Sequence, residues 1–328
     1  MPSTTDSPLS FEAFDLAAIR AAKKNGNTKL IEVQTFYSKT NYLPDYYNKV
    51  STLNTALNDL DFHLPEAAQG ISVNLTIKIK HLGEALKALA EASDDDREDV
   101  LEYLADLLSN ATDTTQRHTK TLKSRLQSLS APINGSTLLL KLEACEADAA
   151  RVPEDIEKLQ EKKSVLDGEY ATLTSAIDAL AGTELPEANK ETILDPTKLA
   201  ALGLTAPQLA AAQAALELLQ KVMQELNAAL NYLGLISLRD SLRGRLYKVR
   251  EDIAAKNLEL DRIQDRIRLI ESIQAFEDER ASYTREISTI VSSLESFVAE
   301  ASDVSSDESG EQFVQNANAI IDYLKPIK

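Results

Sequence analysis

Six side chains between residues 213 and 231 recur at spacings of four and three: Gln213, Glu217, Gln220, Gln224, Asn227 and Asn231. On a helix this spacing gathers them into one narrow stripe. A second stripe of the same period holds Leu209, Ala212, Leu216, Leu219, Met223, Leu226, Leu230 and Leu233, and most remaining positions are Ala, Leu or Val. Amides and a single carboxylate hydrate well, whereas the rest of such a cylinder suits hydrocarbon. A helix of this kind can line water on one side and face lipid on the other. One copy encloses nothing; a ring of copies does. The pattern also suits a soluble bundle, with the ribbon turned to solvent and the apolar surface in the core.

No other constellation carries chemistry. His63, His81 and His118 are not at metal-ligand spacing. Cys145 sits at a heptad position beside Leu142 and Ala149, as a small core residue would. The acidic runs Asp94–Asp96 and Asp303–Glu311 read as a helix start and a solvated linker, not as calcium loops. There is no phosphate loop, no Ser/His/Asp arrangement and no zinc cluster. An enzyme is not expected, nor a cofactor or a metal.

The elements around the ribbon are more regular than the ribbon's own surroundings. Gly182, Pro186, Pro196 and Gly203 break up residues 182–205. Thr205 then caps a helix with Pro207 in its first turn, expected over 206–235. About 30 residues at 1.5 Å each exceed a hydrocarbon core about 30 Å thick. From Leu199 to Leu238 the charged residues are Glu217, Lys221 and Glu225.

On either side lie heptad arms. Leu138, Leu142, Cys145, Ala149, Val152, Ile156, Leu159, Lys163, Leu166, Tyr170, Leu173, Ile177 and Leu180 keep a 4-3 spacing, interrupted by Pro153. Leu242, Leu246, Val249, Ile253, Lys256, Leu260, Ile263, Ile267 and Ile270 keep it again. That stripe slips through Ile273 and Phe276 and resumes at Tyr283, Ile287, Ile290, Leu294 and Phe297. Lys163 and Lys256 interrupt the stripes by snorkelling or by setting register. Antiparallel pairing with 181 opposite 242 puts Pro153 level with about residue 270, where the slip lies. The arms span about 65 and 85 Å.

Before the arms, helices are expected over 11–24, 46–60, 65–92 and 94–130, with breaks at Asn25–Gly26, Pro44 and Ala131–Ser136. Ser10 and Ser93 are the expected caps, and Thr28–Lys39 is ambiguous. Ile71, Val73, Leu75, Ile77 and Ile79 alternate like a strand, but the stripe Ile71, Leu75, Ile79, Leu82, Leu86, Leu89 favours helix. A last amphipathic helix carries Phe313, Ala317, Ile320 and Leu324 and is expected to dock back on the bundle. The expected fold is all-α, an elongated bundle of about five long helices built on an antiparallel coiled-coil hairpin with an inserted helical head. Its parts are an N-terminal segment (1–40), tail helices and ascending arm (41–181), head (182–241), descending arm (242–300), and acidic linker with C-terminal helix (301–328).

The net charge is −17 over 328 residues, which argues against nucleic acid and against electrostatic capture by anionic lipid. Residues 1–15 lack the basic start and apolar stretch of a Sec signal, and no segment reads as a constitutive transmembrane helix. A soluble protein, secreted without a Sec signal peptide, is expected.

The arms 138–181 and 242–298 and the apolar insertion 182–241 at their tip resemble the cytolysin A superfamily of α-helical pore-forming toxins. Within it the likeness is to the B components of two-component toxins of the xenorhabdolysin type, over residues 40–328. The resemblance implies a soluble monomer that joins an A-component partner on the target-cell bilayer, forms a ring and inserts its head. It makes Leu209, Leu216, Leu219, Met223, Leu226, Leu230 and Leu233 membrane-inserting, and the ribbon from Gln213 to Asn231 pore-lining. The alternative is a non-membrane helical scaffold or adaptor whose tip binds another protein.

Overall fold

Helix follows helix along this chain because Ala, Leu, Glu and Lys dominate it and glycine and proline number ten each. A computed structural model describes residues 9–93, 96–183, 193–226, 229–301 and 307–328, without the side chains of 222–226 and 307–309. Among the described residues there is no strand. The helices are α1 (Leu16–Thr40), α2 (Pro44–Glu91), α3 (Arg97–Ser128), α4 (Gly135–Ala181), α5 (Pro196–Ala201), α6 (Ala206–Leu226), α7 (Tyr232–Glu300) and α8 (Asp307–Leu324), with a 3-10 turn at Lys325–Ile327. They form two compact units. The first holds residues up to Leu142 and from Asp265 onward; the second holds Glu143–Gln264.

In the first unit, α1 and α2 are antiparallel. Asn54 and Asn58 both donate to Asn27 Oδ1, at 2.9 and 3.0 Å, and the rings of Tyr37 and Tyr47 stack 4.2 Å apart. The turn between them places Asn41 and Leu43 at positive φ. α3 runs antiparallel to α2, with Arg125 paired to Asp59. α7 runs antiparallel to α1 and α3 through Asn25–Glu279 and Lys123–Glu295. Its stripe Ile270, Ile273, Phe276, Tyr283, Ile287, Ile290, Leu294 and Phe297 is fully buried. The position the apolar slip leaves vacant is filled by Arg280, itself buried. Its guanidinium is held by both oxygens of Glu277 and donates to the Leu129 carbonyl that ends α3. A buried charge is tolerated here because it is paired and each of its three guanidinium nitrogens is hydrogen-bonded. Burial, and then the Asp61 carboxylate, hold the Tyr283 phenol far above its ordinary pKa. The Tyr283 hydroxyl meets no acceptor at normal hydrogen-bond geometry even though Asp61 lies nearby. α8 docks through Phe313, Ala317, Ile320 and Leu324, as its stripe requires.

Several expected boundaries move. α1 runs through Asn25–Gly26 without a break and starts at Leu16, capped by Asp15 and not Ser10. Gly26 is buried on the packed face of α1, where a Cβ would make ordinary 3.9 Å contacts with Asn54, Leu57 and Phe276, and it makes no turn. α2 also continues through Pro65 and merges two expected helices. Pro65 lies on the exposed side, where the carbonyl it leaves without a helical partner is open to solvent. α3 begins at Arg97, after a turn in which the Ser93 carbonyl accepts from Asp96 and Arg97; Asp94 and Asp95 lie outside the described residues. Residues 71–79 are helical: Ile71 and Leu75 are buried, whereas Val73 and Ile77 are exposed.

In the second unit, α4 and α7 are antiparallel. Arg250 reaches Asp167 at 3.5 Å and Lys256 reaches Asp155 at 3.5 Å. Both heptad lysines end in ion pairs, Lys163 with Asp167 and Lys256 with Glu259 and Asp155. This register puts Pro153 close to residue 258, not 270, so the proline and the slip do not share a level. A salt bridge fixes register only where the heptad seam allows it, and end-to-end counting from the tip missed the residues consumed there.

Candidate functional site

The site is built from the lead 193–205, α6 and the start of α7, resting on the last turns of α4. Asp195 caps α5 through the Lys198 amide at 2.9 Å, with Pro196 in the first turn. Gly203, at φ 65°, ends that helix in a conformation costly for a side chain. Thr205 then caps α6. The Gln208 side chain reaches back to the Thr205 amide at 3.0 Å and hydroxyl at 2.8 Å, the reciprocal half of a capping box.

α6 turns one stripe inward. Ala212, Ala215, Leu216 and Leu219 are buried against Leu173, Ala176, Ile177 and Leu180 of α4 and Leu235, Leu238, Leu242 and Leu246 of α7. Leu209 is half-buried at the edge of the same core. Burying Leu216 and Leu219 stabilises this packing by about 1.5–3 kcal/mol each. The opposite stripe, Gln213, Glu217 and Gln220, is exposed. The structure thus places the apolar stripe in a protein core and the first half of the polar ribbon in solvent. The side chains of Met223, Gln224 and Leu226, and residue Asn227, lie outside the described residues.

The expected single helix 206–235 is divided. α6 ends at Leu226 and α7 begins at Tyr232. Asn231 is not on α6; it is buried at the start of α7, where its Oδ1 accepts from the Gly234 amide at 2.8 Å. Leu230 is half-buried and its carbonyl accepts from the Leu194 amide at 2.6 Å, tying the lead to the turn. Leu233 is exposed on α7. Gly234 permits the turn: a Cβ there would collide with the Ala229 carbonyl and sit 3.1 Å from Leu219 Cδ2. The Asn231-to-Gly234 spacing is a helix-start signal legible in the sequence. It was masked because Leu230 and Leu233 continue the apolar spacing of α6 without a change of phase.

Among the described residues no helix is long and apolar enough to cross a membrane. The three histidines have local partners. His63 lies between Glu66 at 2.8 Å and Asp59 at 3.6 Å, His81 lies 3.6 Å from Glu84, and His118 packs over Gly70. Cys145 is buried.

No protein-family model and no curated protein sequence matches the chain. Solved structures do. PaxB from Photorhabdus luminescens matches with a TM-score of 0.77 and 16% identity, over 97% of this chain and 97% of that one. XaxB from Xenorhabdus nematophila matches at 0.76 and 17%, over 96% and 97%. The XaxAB pore complex from the same organism matches at 0.68 and 16%, over 96% and 97%. At such identities the likeness is one of fold. In fold, then, the chain is similar to PaxB and XaxB.

Proposed function

We propose that this chain is a subunit of a two-component α-helical pore-forming toxin. In this reading it meets an A-component partner at a target-cell bilayer, assembles with it in a ring and inserts its head. The observation that carries the reading is the match of fold over nearly the whole chain to XaxB and to a subunit of the XaxAB pore complex. The amphipathic pattern of α6 supports the head as the inserting part. Leu209, Leu216, Leu219, Met223, Leu226, Leu230 and Leu233 would meet lipid, and Gln213, Glu217, Gln220, Gln224, Asn227 and Asn231 would meet the lumen. Insertion in this form requires α6 to leave the core it shares with α4 and α7, and lipid then replaces protein around Leu216 and Leu219. The whole-chain domain plan of tail, arms, head and C-terminal helix belongs to the same proposal.

The test uses planar bilayers or dye-loaded liposomes with the chain and its partner subunit. Leu216→Asp and Leu219→Asp abolish leakage, but both side chains are also core residues, so folding is checked by circular dichroism. Glu217→Lys is cleaner, because Glu217 is exposed. A ring of carboxylates in the lumen favours cations, so this variant shifts the reversal potential toward anion selectivity without altering the fold. Unchanged selectivity in a conducting variant would remove Glu217 from the lumen. The scaffold reading keeps one observation in its favour: Gln213, Glu217 and Gln220 face solvent while the apolar stripe is core. It predicts no leakage at any subunit ratio.

A further inference from the structure

The first described residues of the chain lie over the last helix. Ahead of α1, Leu9 donates its amide to Asn316 Oδ1 at 2.9 Å. The rings of Phe11 and Phe14 then pack on Tyr323, with centroids 5.4 and 5.1 Å away. Tyr323 in turn bonds Ser293 of α7 at 3.1 Å. Behind this strap the start of α1 is firmly fixed. Asp15 donates its amide to Glu286 at 2.8 Å, and its own carboxylate accepts from Ala17 and Ala18. α8 is therefore held on two sides. Its inner stripe of Phe313, Ala317, Ile320 and Leu324 is fully buried, and its other flank, with Tyr323, is covered by Phe11 and Phe14. Burial raises the pKa of the Tyr323 phenol, the Ser293 hydrogen bond offsets part of that rise, and the Glu12 and Glu286 carboxylates add smaller increases, so the ring stays neutral beneath the strap.

The two halves of this arrangement differ in strength. From Asp15 onward the chain is a capped helix. Residues 9–14 have no regular hydrogen bonding of their own and attach through one amide and two half-buried rings. Segments with few buried contacts and little regular hydrogen bonding open first.

We propose that residues 9–14 are a releasable strap that locks α8 onto the first unit, so that lifting or cutting it frees α8 while α1, α2 and α7 stay packed. This goes beyond the proposed pore function and does not depend on it.

Amide hydrogen exchange on the full chain tests it. In Phe11→Ala/Phe14→Ala, exchange across residues 313–324 is expected to rise about tenfold or more, with residues 57–75 of α2 unchanged. Asn316→Leu, which removes the Oδ1 that accepts from Leu9 and, at 3.3 Å, from Gln312, is expected to give a smaller rise in the same segment. No rise at 313–324 in the double variant overturns the proposal, because α8 then holds without the strap. An equal rise in α2 also overturns it, because the aromatic contacts would then support the whole unit and not a detachable helix.

Discussion

Helix α7 is packed in two different ways along its length. From Leu269 to Phe297 its stripe is buried completely, down to Tyr283 and Phe276 at 0% exposure. From Ile253 to Leu260 the same heptad leaves Ile253, Lys256 and Leu260 half-exposed. In the first stretch, contacts reach α7 from α1, α3 and α8. In the second, its ion-pair partners are Asp155 and Asp167 of α4. A heptad seam is closed by neighbours, not by its own residues. Two helices leave part of such a stripe half-exposed, although Val249 and Ile263 on either side and Val152 and Ile156 of α4 are buried, and a larger bundle covers it without gaps. The charged heptad position shows the same contrast. Arg280 is buried and bonded to both Glu277 and the end of α3, whereas Lys256 keeps water and pairs with carboxylates on the surface.

If coverage decides the energetics, the largest loss comes from the covered stretch. Phe276→Ala should cost about 3–5 kcal/mol in urea unfolding, through lost burial and an unfilled cavity. A loss near that of an exposed residue would break the comparison outright. Next in size is the turn beside α6. Gly234→Ala should cost about 1–3 kcal/mol, because the new methyl group must displace the Ala229 carbonyl or Leu219. Exchange of the amides around 229–235 should rise with it. Leu260→Ala, half-exposed in the two-helix stretch, should cost about 1 kcal/mol. A cost equal to that of Phe276→Ala would show an unseen neighbour covering the seam.

The smallest effect is electrostatic. The hydrogen bond from Lys163 holds the Asp167 carboxyl below its ordinary pKa against some desolvation, with help from the charges of Lys163 and Arg250. A depressed carboxyl contributes stability that is present above its unfolded pKa, about 3.9, and is lost as pH falls through the folded value. Asp167→Asn should therefore differ slightly from the parent at neutral pH and converge with it in acid. Because the Asp167 side chain is 39% exposed, the difference is small and fades with added salt. A pH-independent difference would assign the effect to packing.

Much of the fold was legible because long helices advertise themselves. The stripes on α4, α7 and α8 set which face each helix buries, and Phe313, Ala317, Ile320 and Leu324 all lie inside. The reading failed at residues with two local meanings. Asn25–Gly26 and Pro65 are breakers by propensity, yet α1 and α2 continue through them because packing outweighs a cost of one to a few kcal/mol. The site was half legible. Thr205, Pro207 and the opposing stripes were readable in sequence, but the end of α6 was not, since Leu230 and Leu233 keep its spacing.

The sequence by itself determined that the chain is helical, which residues share a face, and where charge is withheld. These follow from side-chain periodicity, which needs no partner. Only the tertiary structure decided which faces are covered, that Arg280 fills a core position, and that Asn231 starts α7 instead of extending α6. The first two depend on groups far away in sequence, whereas the start of α7 combines the local Asn231–Gly234 bond with the Leu194 amide on the Leu230 carbonyl. Periodicity along one helix carries no information about the groups that come to meet it.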